Sequence, residues 1–180
     1  MTLFQSPLPL LLFIPTPRKC KEHLHAFLTL VKIMDGLRLI EAAYEGDVAS
    51  LSQLLQEKPN LIYRNYLNSE DKNILHISAM LGHEEFVKAI LVQANFPSFY
   101  YMSLAWDRDG RNPLHLAAIH GKLNILNLVY HHDGLMQAAL EKADRGDTIL
   151  HLCFRYNQLE ALKLLLQIFP DPFFAGQQEA

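Results

Sequence analysis

Apolar residues recur at intervals of three and four in four stretches of the chain: Val48-Leu51-Leu54-Leu55, Phe86-Val87-Ile90-Leu91, Leu123-Leu126-Val129 and Leu159-Leu162-Leu165-Leu166. This spacing places them on one stripe of an α-helix, with polar residues on the other side. Ahead of each stripe lies a shorter, more uniformly apolar segment. These four segments align without gaps as Leu39-Ile-Glu-Ala-Ala-Tyr-Glu-Gly46, Leu75-His-Ile-Ser-Ala-Met-Leu-Gly82, Leu114-His-Leu-Ala-Ala-Ile-His-Gly121 and Leu150-His-Leu-Cys-Phe-Arg-Tyr-Asn157. Each closes on Gly or Asn, the residues that best tolerate the left-handed backbone ending many helices. The repeating unit is therefore a helix, a tight turn and a second helix. Successive units start 36, 39 and 36 residues apart, at Leu39, Leu75, Leu114 and Leu150.

The residues before each first helix identify the repeat. Asp107-Arg-Asp-Gly110-Arg-Asn-Pro113-Leu-His-Leu-Ala-Ala118 resembles the ankyrin signature D-x-x-G-x-T-P-L-H-x-A-A, with Asn112 in place of Thr. Asp144-Arg-Gly146-Asp-Thr148-Ile-Leu-His151 follows the same pattern, Asp71-Lys-Asn73-Ile-Leu-His76 does so without the glycine, and Leu37-Arg-Leu-Ile40 has lost it, as a terminal unit can. The expected fold is all-α: an ankyrin-repeat solenoid of about four helix-turn-helix units with hairpin-like loops. Gly110 and Gly146 allow the tight loop turn, Pro113 presets φ in the first helical turn, and Asn73, Asn112 and Thr148 can cap the helix start. His76, His115 and His151 occupy one equivalent position, from which a ring nitrogen can reach loop backbone and tie neighbouring hairpins together. Gly82 and Gly121 end first helices, and Ala42, Ala43, Ala79, Ala117 and Ala118 are small enough for helices to approach closely.

At 180 residues and 50% hydrophobic, the chain suits one compact domain. A net charge of -3 gives no general case for nucleic acid, and none is expected as a partner. The charge is unevenly spread. Residues 1–33 carry Arg18, Lys19, Lys21 and Lys32 against Glu22, a local +3, which leaves -6 for residues 34–180. Cys20 and Cys153 lie in no metal-ligand or disulfide spacing, and Cys153, replacing the first Ala of the pair, reads as a small core residue. No phosphate-binding glycine loop occurs, so no cofactor is expected. The Leu8 to Ile14 run is broken by Pro9, flanked by Pro7 and Pro15, and falls short of the roughly 20 residues that span a bilayer. Positive charges follow that run instead of preceding it, which argues against a secretory leader.

The recurring histidines have a structural use and the adjacent His131-His132-Asp133 do not share a helix face, so neither catalysis nor a metal site is expected. From Glu22 to Met34, Leu24, Phe27, Leu28, Val31 and Ile33 suit either a membrane-surface helix or packing on the first unit. The segment from Gln93 to Trp106, with Phe96, Phe99, Tyr100, Tyr101 and Trp106, reads as a long connector over the gap left by a lost repeat; the alternative is an exposed binding patch.

Beyond the general repeat, Asp107-Arg-Asp-Gly-Arg-Asn-Pro-Leu-His-Leu-Ala-Ala-Ile119 and Thr148-Ile-Leu-His-Leu-Cys153 resemble a plant group of ankyrin-repeat proteins that carry a C-terminal membrane region of the PGG type. The resemblance covers Met34 to Gln167. It implies a role in signalling or defence through protein contacts at the cytoplasmic face of a membrane. That membrane region is not found in this chain, which ends at Ala180 after Phe169-Pro-Asp-Pro-Phe-Phe174, so direct anchoring by a transmembrane helix is not expected. The expected organisation is an N-terminal extension, residues 1–33, poorly ordered or weakly helical; a repeat domain over 34–167, with units near 35–66, 71–105, 107–141 and 144–167; and a tail over 168–180.

In such an array the loop tips and first helices form a concave binding side. Its positions not required by the scaffold are Arg108, Asp109, Arg111, Ile119 and His120, then Arg145, Asp147, Arg155 and Tyr156, and earlier Met80 and Leu81 with Tyr44 and Glu45. The functional expectation is a monomeric, cytoplasmic, non-enzymatic adaptor for a protein or peptide partner, associated with the plasma membrane, if at all, through that partner. The alternative is a truncated family member with little independent function.

Overall fold

In a computed structural model of the chain, the residues described are 17–62, 66–94 and 96–169. The chain divides into two units, Met1–Met34 and Asp35–Ala180. Within the first, residues 17–34 belong to helix α1, Pro17–Glu45, which begins on a proline suited to a first helical turn. The extension expected as poorly ordered or weakly helical is thus part of α1 from residue 17; residues 1–16, with the Leu8 to Ile14 run, lie outside the described residues, as do residues 170–180 of the tail.

In the second unit the end of α1 pairs in sequence with α2, Val48–Glu57. The next pairs are α3, Ile74–Leu81, with α4, Glu84–Gln93; α6, Pro113–Ile119, with α7, Leu123–Leu128; and α9, Ile149–Arg155, with α10, Leu159–Ile168. No strand occurs among the described residues. Leu39, Leu75, Leu114, Ile77, Phe86, Leu126 and Leu165 lie in one continuous core with the small residues Ala42, Ala43, Ala79, Ala117, Ala118 and Cys153. Stacking runs through the first helices, α3 on α6 and α6 on α9, where small side chains allow close approach. Cys153 is the small core residue its position implied, and burial pushes its thiol up to about 11. Gly46, Gly82, Gly121 and Asn157 all have positive φ, between 56° and 84°. The three glycines serve a second purpose: a Cβ there would collide with or crowd the next unit, His83 over Gly46, Lys122 over Gly82 and Gln158 over Gly121.

The Gln93 to Trp106 segment is not a connector spanning a gap. It folds into α5, Phe96–Leu104, and the third unit has a matching extra helix, α8, Asp133–Leu140, reached through a 3₁₀ turn at Val129–His131. The two extra helices pack on each other, with Phe99 against Gly134, while α3 packs directly on α6, so the array is continuous. Phe99 is buried and Tyr100 half-buried, but Tyr101 and Trp106 are exposed, so these rings do not act as one cluster; the Phe96 side chain is outside the described set.

Each extra helix is caught by the cap of its own unit. Asn73 accepts the Leu75 and His76 amides on its side-chain oxygen, both at 3.0 Å, while its Nδ2 donates to the Met102 carbonyl near the end of α5 at 3.1 Å. Asn112 accepts the His115 amide at 2.9 Å and donates to the Ala138 carbonyl near the end of α8 at 2.6 Å. A threonine can make the cap but has no amide to reach a terminal helix carbonyl. The departure from the ankyrin signature at Asn112 therefore has a structural cause. Thr148 caps α9, after which no extra helix is described. Replacing Asn112 by the signature Thr should lower the unfolding free energy by about 1–3 kcal/mol, because the buried Ala138 carbonyl loses its partner; urea denaturation monitored by circular dichroism reads this directly.

Candidate binding face

Three hairpin loops precede the capped first helices, and they share one construction. Asn68, Asp107 and Ala143 each donate their amide to the carbonyl four residues on, at 3.0, 2.9 and 2.9 Å. The fourth residue of each loop is left-handed: Asp71 at φ 60°, Gly110 at 66° and Gly146 at 76°. The second unit thus keeps the turn without a glycine, using an Asp, one of the few other residues that tolerate this region. Successive loops are tied by backbone bonds, Arg108 N–H to the Glu70 carbonyl at 3.1 Å and Asp144 N–H to the Gly110 carbonyl at 3.0 Å.

Histidine rings hold this row of loops onto the helices. His76 accepts the Asn73 amide on Nδ1 at 3.2 Å and donates from Nε2 to the Arg111 carbonyl of the next loop at 3.1 Å. His115 does the same with the Asn112 amide at 3.2 Å and the Glu141 carbonyl at 3.0 Å. Both rings are fully buried, and desolvation, the main cause, lowers each to about 4, so both are neutral with the proton on Nε2. His151 accepts the Thr148 amide on Nδ1 at 3.2 Å, and its residue is exposed.

With the loops so fixed, polar side chains converge above them. Arg108, Asp109, Arg111, Arg145, Asp147, Arg155 and Tyr156, all expected at the binding side, line a depression of about 400 Å³ together with Ala143, Asp144 and Leu152. Arg111 donates to the Tyr156 hydroxyl at 3.4 Å and pairs with Asp109 at 3.3 Å. Arg155 grips Asp147 with both terminal nitrogens, one at 2.9 Å to Oδ1. Arg108 lies 3.6 Å from Asp71. His120 is exposed, and its pKa is lowered by partial burial and by the nearby cation Lys122. Leu81, Tyr44 and Glu45 are exposed, with the Tyr44 hydroxyl accepting from Asn68 at 2.8 Å.

Ile119 is a correction. It was expected to face a partner but is only 7% exposed, packed with Leu116, Ala143 and Leu152 under the loop tips. Met80 is half-buried against the same cluster. An apolar side chain at the end of a first helix is closer to the overhanging loop than to solvent, and periodicity within that helix does not reveal the loop above it. Asp144, Ala143 and Leu152 were not anticipated in the lining; Ala143 could have been found from its alignment with Asp107. His131 and His132 are exposed, and among the described residues no group of three His, Cys, Asp or Glu could hold a metal ion.

Helix pairs stacked in sequence order, with their capped loops aligned along one edge, define a repeat solenoid. The chain belongs to the ankyrin-repeat family, whose model "Ankyrin repeats (3 copies)" matches residues 39–138 and 106–173. It is 26% identical over 165 residues to the target of rapamycin complex 2 subunit AVO2 of Saccharomyces cerevisiae, covering 73% of this chain and 37% of that protein. It is 24% identical over 188 residues to the probable E3 ubiquitin-protein ligase XBOS32 of Oryza sativa subsp. japonica, covering 74% of this chain and 38% of that protein. The chain therefore spans less than two fifths of these relatives' length. Its fold is similar to that of a chain in the crystal structure of the yeast ribosomal protein Rps3 in complex with its chaperone Yar1, with a TM-score of 0.67, 21% identity and coverage of 82% of this chain and 97% of that one.

Two outcomes follow from the loop chemistry. The His76 and His115 rings stabilise the fold above their ordinary value of 6.5, and this contribution is lost as pH falls from 6.5 toward 4, because the unfolded chain binds the protons first. Chemical denaturation should show a loss on the order of 2 kcal/mol per ring between pH 7 and pH 5. Gly110→Ala should cost more than Gly146→Ala: both impose a left-handed alanine, roughly 1–2 kcal/mol, but a Cβ at 110 would sit 2.2 Å from the Asp144 Cβ whereas one at 146 meets nothing within 4 Å. Parallel urea titrations of the two variants give the comparison.

Proposed function

We propose that this chain is a non-enzymatic adaptor that grips a protein or peptide partner on the face made by its loop tips and first helices. The observation that carries this reading is the depression lined by Arg111, Arg155 and Tyr156. These side chains are not needed to hold the repeat together, yet ion pairs and a hydrogen bond hold them over one depression. Arg and Tyr are frequent energetic anchors of interfaces, combining large contact area with directional donors. Their pairing with Asp109 and Asp147 limits the rotamer freedom that binding must remove. Each pair keeps one well-exposed partner, Asp109 or Arg155, so solvent screens it and its contribution to stability is modest, which favours recognition as the reason for the arrangement.

The finer reading, a monomeric cytoplasmic adaptor in plant signalling or defence, rests on the resemblance of the Asp107 to Ile119 and Thr148 to Cys153 segments to the plant group, and on the rice relative. Any association with the plasma membrane through a partner belongs to the same reading. Among the described residues no helix is long and apolar enough to cross a membrane.

The test is quantitative affinity capture with the full chain and with an Arg111→Ala, Arg155→Ala, Tyr156→Ala variant. Loss of three anchors should weaken recovery of the specific partner set by at least about tenfold, with helical content and thermal transition retained. Undiminished recovery by a folded variant would show that another surface binds.

A further inference from the structure

The first unit carries a different surface chemistry. Its described side chains include Phe27, 61% exposed, Met34, 62% exposed, and the exposed Leu28, Leu30 and Ile33. At about 100° per residue, Met34, Phe27, Val31 and Leu28 fall within a sector roughly 120° wide, which Leu30 and Ile33 extend on one side. His25, Thr29 and Lys32 occupy the strip beside it. In sequence, Arg18, Lys21, His25 and Lys32 are spaced i, i+3, i+7 and i+14, the spacing of one strip on a helix. A broad apolar sector bordered by a basic strip is the pattern of a helix lying in a membrane interface.

Charge selects among possible occupants. Residues 1–33 carry +3 while the remainder carries -6. An anionic bilayer attracts the former, each basic residue near the surface contributing about 1 kcal/mol, whereas two copies meeting through this segment would oppose like charges. Length selects the mode. The apolar part, from Leu24 to Met34, is about 16 Å of helix against a hydrocarbon core of about 30 Å, so it lies along the surface instead of crossing it. We infer that residues 17–34 form an interfacial anchor that lays the first half of α1 on an anionic phospholipid surface, apolar sector inward.

Co-sedimentation of the full chain with vesicles tests this. Vesicles of phosphatidylcholine with about 30% phosphatidylserine should bind at least about tenfold more tightly than pure phosphatidylcholine at low salt, with most of that preference gone near 0.5 M NaCl. Lys21→Glu with Lys32→Glu should remove the preference, and Phe27→Asp with Leu28→Asp should abolish binding to both vesicles. Equal binding to neutral vesicles, or no binding to either by the unmodified chain, overturns the proposal whether or not the variants fold. So would a dimer in sedimentation velocity that the Phe27→Asp, Leu28→Asp variant loses, since the apolar sector would then belong to a second copy. The Arg111, Arg155 and Tyr156 variant should bind vesicles normally, which separates this anchor from the partner-binding face.

Discussion

A buried histidine locked to the residue that caps its own helix is the contact on which the array depends. In the second and third units the ring takes the cap residue's amide on one nitrogen and gives its proton to the next loop's carbonyl from the other. One side chain thus closes a helix end and sets the distance to the following unit. Because both ring nitrogens are used, the ring must be neutral, and burial enforces this by penalising the charged form. Together with the backbone bonds between loops and the small residues between first helices, this pair of bonds fixes each loop on its helix and so places Arg111 beside Tyr156.

The cap residue adds a second constraint. Where an extra helix follows the pair, the cap is Asn, whose amide reaches that helix's terminal carbonyl; in the fourth unit it is Thr. A single-residue departure from the repeat signature thus marks where the repeat has been enlarged. The α5 and α8 helices pack on each other, so the enlargements of neighbouring units support one another. This accounts for the spacings of 39 and 36 residues from Leu75 to Leu114 and from Leu114 to Leu150, above the 33 of the usual ankyrin repeat, without any loss of continuity.

The scaffold and its candidate binding face obey different physics. Scaffold positions are buried and sterically tight, as at Gly110, where a Cβ would strike Asp144, so their identities are dictated. The arginines and Tyr156 above the loops are under no such restriction. What they share is position, delivered by loops whose backbones are bonded to one another. Surface identity free to vary on a rigid base is how repeat proteins change partners while keeping one fold.

The sequence by itself determined the units, their caps, their left-handed turns and the small-residue stripe, because each is a local requirement on backbone angle, hydrogen bonding or size. It also picked out most of the residues that line the depression above the loops, since loop tips are identified by alignment. What only the tertiary structure decided was non-local. Ile119 is covered by a loop more than twenty residues later in the chain, the Phe96 to Leu104 segment becomes a helix because α8 offers it a partner, and Asp71 keeps the left-handed turn in the one loop that lacks the signature glycine. The meaning of Asn112 belongs to this second group: its capping role was readable from its neighbours, but its second bond goes to Ala138, 26 residues away, and such a partner cannot be read from a local pattern.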